Sequence, residues 1–352
     1  MSRVFVCGLG AVSPAGWDVA AMRAALAQPA SLPVEPLPRP GWAKPLRLRP
    51  IPPPAQRLAF LAHPRLRRSS ALTHYAAAAA LEAVRNLRPA GRQGPSLGVI
   101  VCLQAGCVQF SYRFFDEVSQ DPATASPLLF PETVLAAPAS HIAALLGNAP
   151  LVHTLVGDPA CFLQALALGA AWLAEQRVLA CLVIGAEETN WLQADALWHL
   201  DRRAVISSGA GAVCLSLDAE RSLGAELDAI TGIHTYTTPR PRACAAQAMR
   251  AELPASAPDQ LLCDGLGDSP RTDAPEAAAW RDWTGPRLSL KRILGEGLMA
   301  AGAWQCVAAC DALATGPHAA AIVSLVGCNQ HAIGARFVRS ALCVRPNQGS
   351  PD

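Results

Sequence analysis

Short apolar segments that alternate with helical ones constrain the fold of this chain more than any other feature. In the first part of the chain, buried strands are predicted at 4–12, 97–103, 151–156, 179–185 and 211–217. Helices are predicted at 20–27, 72–87, 140–146 and 159–175. Apolar strands separated by helices are typical of a mainly parallel sheet that helices cover on both faces. The pattern therefore predicts an α/β fold.

The same alternation begins again near residue 223. Strands are predicted at 225–233, 260–263, 287–290, 319–326 and 332–338, and helices at 242–251, 275–282 and 298–314. Two halves with one rhythm suggest an internally duplicated fold, with an N-terminal half over 1–220 and a C-terminal half over 221–340. A polar tail follows over 341–352.

Composition argues against several classes of protein. Hydrophobic residues make up 51% of the 352 residues and charged residues only 16%, so a large core is expected and extensive disorder is not. The formal net charge of +2 argues against a general nucleic-acid-binding protein. The longest apolar segment, 159–174, is shorter than the roughly 20 residues that a membrane span needs. The first residues are typical of a strand rather than a signal peptide, so a cytoplasmic protein is expected.

The cysteines and glycines give no sign of a metal or cofactor site. The 12 cysteines are scattered singly, with no CxxC pair and no Cys/His cluster at zinc spacing. They are interpreted as reduced, buried thiols. The sequence has no G-x-x-x-x-G-K-[ST] motif and no dinucleotide-binding fingerprint between a strand and a helix. We therefore expect no metal and no cofactor.

Proline and arginine are concentrated in one segment near the amino terminus. Ten of the 30 prolines fall between residues 29 and 54, which predicts an irregular surface insertion over about 29–70. The overlapping stretch 36–81 contains no Asp or Glu. It contains eight basic residues, namely Arg39, Lys44, Arg47, Arg49, Arg57, Arg65, Arg67 and Arg68.

The segment GDPACFLQAL, residues 157–166, raises the question of a nucleophile. Asp158 is expected to cap a buried helix and Pro159 to occupy its first position. Cys161 then lies in the first helical turn, where the helix dipole favours a thiolate. An ordinary buried cysteine is the alternative interpretation.

Several segments together resemble the β-ketoacyl synthase family, which has the thiolase fold. They are, in order, VFVCGLGAVSPAG, FPETVLAAPASHIAALLGNAPLVHTLVGDPACFLQALALGAAWL, LVIGAEE, SSGAGAVCLSL and LSLKRILGEGLMAAGAWQCVAAC. The resemblance spans most of the chain in the family's order. It implies duplicated βαβαβαββ halves in a layered α-β-α-β-α architecture.

The positions that carry chemistry in that family differ in this chain. Its condensing members use a cysteine nucleophile and two histidines that promote decarboxylation and stabilise the developing oxyanion. By the resemblance, the cysteine position falls on Pro159, two residues before Cys161. The histidine positions fall on Gly265, which Asp264 precedes, and on Glu296. An anionic Glu296 is expected to repel a malonyl carboxylate.

Two further parts of the family pattern can be compared. Lys291 matches the lysine that precedes the second histidine. The glycine-rich gating loop is replaced by VGCNQH, and its equivalents are Gly327, Cys328, Asn329, Gln330 and His331. The three catalytic positions and the gate are therefore altered together, while the scaffold segments remain.

This combination implies a non-condensing subunit of the chain-length-factor type. Such a subunit pairs with an active ketosynthase as a heterodimer in polyketide, aryl-polyene or fatty-acid-like biosynthesis and shapes the acyl tunnel. The resemblance places the strand 151–156 at the dimer seam. It also implies an acyl carrier protein as a partner, and Arg65, Arg67 and Arg68 are candidates for docking this acidic protein. A solvated arginine-rich surface with no partner is the alternative for these three residues.

Two other functions stay open on the sequence. One is a divergent acyltransferase or condensing enzyme that uses Cys161, with Asp264 or Glu296 as the base. By motif, the nearest histidines are His141, His153 and His331. The other is a regulatory homodimer with a degenerate pocket.

Overall fold

The computed structural model describes residues 3–28, 30–87, 96–328 and 330–340 of the protein. The strands are β1 (Val4–Val12), β2 (Glu35–Leu37), β3 (Leu46–Arg49), β4 (Leu97–Leu103), β5 (Leu151–Val156), β6 (Ala180–Glu187), β7 (Ile206–Ser207), β8 (Gly209–Ser216), β9 (Ala225–Ile230), β10 (His234–Thr235), β11 (Gln260–Asp264), β12 (Arg287–Ser289), β13 (Ala320–Val326) and β14 (His331–Arg339). The predicted polar tail 341–352 and the gate-loop residue Asn329 lie outside the described residues.

Helices connect most of these strands. They are α1 (Val19–Leu26), α2 (Ala71–Ala83), α3 (Val108–Gln120), α4 (Phe130–Thr133), α5 (Ala137–Leu146), α6 (Cys161–Ala174), α7 (Trp191–Leu200), α8 (Pro239–Ala251), α9 (Pro270–Ala279), α10 (Leu290–Leu294) and α11 (Met299–Thr315). Short 3₁₀ turns occur at Ala59–Ala62, Pro64–Leu66, Arg85–Leu87 and Ala219–Arg221.

The large sheet repeats one strand order in each half of the chain. The first half has the order β5-β4-β6-β8-β1, and the second half has β12-β11-β13-β14-β9. In each half the first three strands in this order are parallel, and the last two are antiparallel to their neighbours. β1 and β9 join the halves by antiparallel pairing from Val4↔Leu227 to Val6↔Ala225. The duplication suggested by the sequence is therefore present in the topology.

Helices α6 and α11 lie between the two half-sheets. α11 contacts strands of both halves and also packs on α6. Their side chains belong to one core with residues of β4, β6 and β8 and of β11, β13 and β14. The outer faces are covered by α2 and α5 in the first half and by α8 and α9 in the second. The result is the layered α-β-α-β-α arrangement, in which apolar strands are buried on both faces.

The insertion predicted as irregular contains ordered structure. β2, β3 and β7 form a separate three-stranded sheet in which β3 runs parallel to β7, with Leu48 opposite Ile206 and Arg49 opposite Ser207. The many prolines argue against strands in this segment of the sequence, because proline has no backbone N–H to donate to the hydrogen bonds of a sheet. β2 and β3 are short and meet only at three positions, so proline is tolerated there.

A buried arginine fixes the insertion to α7. The guanidinium carbon of Arg39 lies 3.9 Å from the ring centroid of Trp42 and 4.9 Å from that of Trp198. Arg39 also forms an ion pair with Asp195. These cation–π contacts and the ion pair hold the insertion against the body of the protein.

No helix in the described ranges is long and apolar enough to cross a membrane.

Candidate functional site

A cavity of about 630 Å³ opens at the carboxyl ends of several parallel strands. Pro159 reaches it from the turn after β5, Gly265 from the end of β11, and Cys328 from the end of β13. Lys291 and Glu296 reach it from α10 and the turn that follows. Carboxyl ends of parallel strands meet at one edge of a sheet, which is where ligands bind in open α/β folds. The three positions that the resemblance assigns to the catalytic set, Pro159, Gly265 and Glu296, therefore line one cavity.

The turn at Pro159 begins two residues before the helix. Pro159 was predicted to be the first helical residue, but α6 begins at Cys161. The Asp158 carboxylate accepts a hydrogen bond from the Ala160 amide at 3.2 Å and holds this turn. The Pro159 carbonyl also packs against Gly302 of α11, where a Cβ atom would lie 2.6 Å from the carbonyl oxygen. Proline supplies neither a nucleophile nor an amide donor to the cavity.

Cys161 lies in the core and does not line the cavity. Its side chain is 4% exposed. Burial, followed by the negative charge of Asp158, raises the pKa of Cys161 to about 11. The thiol is therefore protonated near neutral pH, against the effect of the helix dipole, and thiolate chemistry is disfavoured.

A carboxylate occupies the space beside Gly265. The amide of Gly265 donates to Glu276 Oε1 at 3.1 Å, and a Cβ atom at Gly265 would lie 3.0 Å from Glu276 Oε2. An imidazole at this position would require Glu276 to move. Burial raises the pKa of Glu276 to about 7, and the charge of Asp264 acts in the same direction.

Asp264 lies behind the cavity rather than in its wall. Its side chain is fully buried, and its Oδ2 lies 3.0 Å from Nε of Arg287. Burial raises the pKa of this carboxyl, and hydrogen bonding and Arg287 oppose the shift. Asp264 therefore forms an ion pair at the end of β11. It is not among the residues that line the cavity, so it does not present a base to a ligand there.

Glu296 is neutralised by an ion pair. Lys291 Nζ lies 2.6 Å from Glu296 Oε2, and the amide of Leu298 donates to Oε1 at 2.9 Å. Burial lowers the pKa of Lys291, but the charges of Glu296 and Glu276 outweigh it and raise the pKa above its ordinary value. The Lys291 cation beside Glu296 therefore offsets the negative charge that is expected to repel a malonyl carboxylate.

Asp158 joins the turn before α6 to the loop that replaces the gate. Its Oδ2 accepts from the amides of Gln330 at 3.2 Å and His331 at 3.4 Å. His331 Nε2 lies 3.6 Å from Asp158 Oδ1. A Cβ atom at Gly327 would overlap the Asp158 carboxylate, so glycine is required there. A single buried carboxylate thus fixes two walls of the cavity relative to each other.

Cys328 is the thiol that lines the cavity. Gln104 Nε2 donates to its Sγ at 3.8 Å. Burial raises the pKa of Cys328, and the charges of Asp158 and Glu296 add to the effect. The loop that carries Gln104 is held by Glu187, whose carboxylate accepts from three successive amides of residues 104–106. Burial raises the pKa of Glu187 to about 8.

Of the histidines singled out in the sequence, His331 lies beside Asp158 but does not line the cavity, and His141 and His153 lie elsewhere. His141 Nε2 is 2.7 Å from Glu132 Oε1, and the ring of His153 contacts Trp172 at the edge strand β5. Within the described residues, no histidine lines the cavity and no group of three or more metal-ligating side chains is present. The wall therefore offers carboxylates, a thiol and cations, but no imidazole.

Arginines at the cavity are the residues that sequence reasoning missed. Those that line it are Arg47, Arg49, Arg203, Arg242 and Arg271. Arg47 and Arg49 belong to the stretch 36–81, whose lack of acidic residues was visible in the sequence. The other three reach the cavity only because α7, α8 and α9 pack around it. Arg65 lies instead in a separate depression beside β5, and Arg67 and Arg68 are exposed on the surface away from the cavity.

Neither a protein-family model nor a curated protein matches the sequence. Solved structures do match. A structure described as the ishigamide ketosynthase/chain length factor is 18% identical, with a TM-score of 0.78 over 96% of this chain and 99% of that one. A β-ketoacyl synthase from Burkholderia phymatum is 18% identical, with a TM-score of 0.79 over 97% and 100% of the two chains.

A third match is a complex. It is described as a type II polyketide synthase acyl-carrier protein with its hexaketide-bound ketosynthase, and it is 17% identical with a TM-score of 0.76 over 96% and 99% of the two chains. The resemblance noted in the sequence is thus confirmed at the level of the fold. This chain has the thiolase-like fold of the ketosynthases.

Proposed function

We propose that this chain is a non-condensing ketosynthase-like subunit of the chain-length-factor type. The observation that carries the proposal is that Pro159, Gly265 and Glu296, which the resemblance aligns with the nucleophile and the two histidines, line one cavity. Each replacement removes a different chemical role. The thiol of Cys161, at the start of α6, is buried and protonated. The scaffold and the cavity are retained, as expected of a subunit selected for shape and pairing.

An unpaired sheet edge supports pairing with a second subunit. β5 ends the large sheet, and its Val156 is 52% exposed. Apolar side chains of α3 and of the segment that leads from it to α5 are also exposed, namely Phe115, Leu128, Phe130, Val134 and Leu135. An exposed apolar strand edge is prone to pair with another chain. We propose that an active ketosynthase covers this face in a heterodimer.

Three further assignments belong to the same proposal. The pathway is polyketide, aryl-polyene or fatty-acid-like biosynthesis, and an acyl carrier protein docks on the complex, with Arg65, Arg67 and Arg68 as candidate contacts. The similar structures include a ketosynthase/chain length factor and a carrier-protein complex, which favours this assignment. We also propose 1–220 and 221–340 as the two halves, since the repeated strand order starts again at β9.

Co-expression with an active ketosynthase, sought among the genes that flank this one, tests the proposal. The two chains are expected to copurify, and the complex is expected to condense carrier-bound malonyl units. Val156→Lys should abolish copurification, because it places a charge in the buried seam. Ile233→Lys is the matched control, since Ile233 is equally exposed but lies in the second half, away from β5. Full activity of the ketosynthase alone, with no complex formed, would contradict the proposal.

A further inference from the structure

Within the described residues, none of the five arginines that line the cavity forms an ion pair, and two of them, Arg49 and Arg242, have guanidinium atoms that are buried. Arg49 is 4% exposed, and its guanidinium donates only to backbone carbonyls, those of Leu32 at 3.1 Å and Lys291 at 3.3 Å. Arg242 donates to the Val326 carbonyl at 3.4 Å, and its Nε is buried without a hydrogen bond among the described residues. No carboxylate in the described part of the chain lies within ion-pair distance of either guanidinium.

The acidic residues of the wall are already engaged. Each accepts from a backbone amide or lies beside a cation, and they are Asp201, Asp268, Asp273, Glu276 and Glu296. Arginine stays protonated at neutral pH even where burial lowers its pKa, as burial does for Arg49. In the described residues, Arg49 and Arg242 therefore carry positive charge that no carboxylate contacts directly, and for the buried Arg49 such a charge is costly.

Both arginines contact the backbone near other residues of the cavity wall. Arg49 reaches the Lys291 backbone, and Arg242 reaches Val326, two residues before Cys328. Apolar side chains of Leu200 and Leu298 also line the cavity. Its volume of about 630 Å³ is within the range of small-molecule sites.

We propose that this cavity binds a small organic acid non-covalently, with Arg49 and Arg242 holding its carboxylate or phosphate group. Guanidinium groups match the geometry of both oxyanions, and charge-assisted hydrogen bonds are strong where water is excluded. The inference rests on the proposed function at one point, which is that the cavity contains no nucleophile and therefore binds its ligand without reacting with it. It gives the retained cavity a ligand that neutralises the two arginines.

Binding to the full chain, measured by calorimetric titration, tests this inference. The probes are malonate, inorganic phosphate and pantetheine 4′-phosphate, with malonamide as the uncharged control for malonate. Malonate alone binding assigns a carboxylate ligand, and binding of either phosphate probe assigns a phosphate ligand. Malonamide is not expected to bind. Failure of all three anions, or equal binding of malonamide and malonate, would overturn the inference.

Variants identify the arginine responsible. Arg242→Gln should weaken binding of the anion by about tenfold or more. Arg240→Gln is the matched control on the same helix, because Arg240 is exposed and does not line the cavity, and it should leave the affinity unchanged. If Arg242→Gln does not fold, Arg271→Gln at the exposed rim is the second variant and should weaken binding by a smaller factor. Equal affinity in Arg240→Gln and in the folded cavity variant would overturn the assignment.

The readout separates this inference from the proposed function. The titration uses no ketosynthase and measures no condensation. Loss of anion binding with copurification intact would therefore reject the ligand site alone, whereas loss of copurification with anion binding intact would reject only the pairing.

Discussion

Pro159 illustrates how the chemistry of the cavity is decided by single side chains. The resemblance aligns it with the nucleophile of condensing ketosynthases, and its carbonyl packs closely on Gly302. At the second position, Glu276 occupies the space that an imidazole at Gly265 would need. At the third, Glu296 is tied to Lys291. Each replacement is thus supported by its neighbours, and restoring one residue would not rebuild the catalytic set.

Replacing Cys161 tests whether the thiol at the start of α6 acts as a nucleophile. In the complex with an active ketosynthase, Cys161→Ala should keep condensation within about twofold of the wild-type rate. The reason is that the thiol is buried, protonated and outside the cavity. Loss of one buried sulfur should cost about 1 kcal/mol of unfolding free energy. A thousandfold loss of activity in a folded variant would make Cys161 the nucleophile.

Glu276 gives the protein a pH-dependent stability. Its pKa is raised by burial to about 7, so the folded state binds a proton that the unfolded state releases between about pH 4.5 and 7. Stability from this group is therefore present at low pH and is lost as pH rises through 7. The shift corresponds to roughly 3 kcal/mol.

Urea unfolding at pH 5 and pH 8 measures this effect. Glu276→Gln mimics the protonated form, so its free energy of unfolding should fall less between the two pH values than that of the wild type. Asp282→Asn is a control for removal of an exposed carboxylate nearby and should keep the wild-type slope. An unchanged slope in Glu276→Gln would show that the carboxyl is not the titrating group.

At the scale of elements, the long buried strands and the two central helices could be predicted, and the short elements could not. Continuous apolar runs specify β4 and β6 directly, because both faces of these strands are buried. The sheet of β2, β3 and β7 could not be predicted, since its pairing joins segments about 160 residues apart. α3 was also missed, although its apolar side chains follow a helical period, and none of its residues is buried in the core.

Arg39 tests how the insertion is attached. Arg39→Ala removes the ion pair to Asp195 and the stacking between two tryptophans, so it should cost about 3 kcal/mol of stability or release the insertion locally. Limited proteolysis between residues 30 and 58 distinguishes local release. Arg202→Ala is the control, because Arg202 also lies over Trp198 but is exposed. Equal protease resistance and stability in the two variants would contradict the anchoring role.

At the scale of the whole molecule, two half-sheets with the same strand order enclose α6 and α11, and β5 and β12 are the edge strands of the sheet in the described residues. The resemblance predicted that Pro159, Gly265 and Glu296 lie close together in the fold. It could do so because the sequence segments around each of them align with the family's pattern. The arginines of the cavity could not be predicted in this way. They come from β3, α8, α9 and the segment after α7, and only the packing of these elements brings them together.

The most direct test of the central claim is a condensation assay in which the partner ketosynthase carries Cys→Ala at its own nucleophile. The complex is assembled with this chain unaltered, and the product is followed by mass spectrometry. If this chain lacks condensing chemistry, product formation falls by about a thousandfold or more while the complex stays intact. Product formed at the rate of the wild-type complex would show that this chain condenses by itself and would contradict the account.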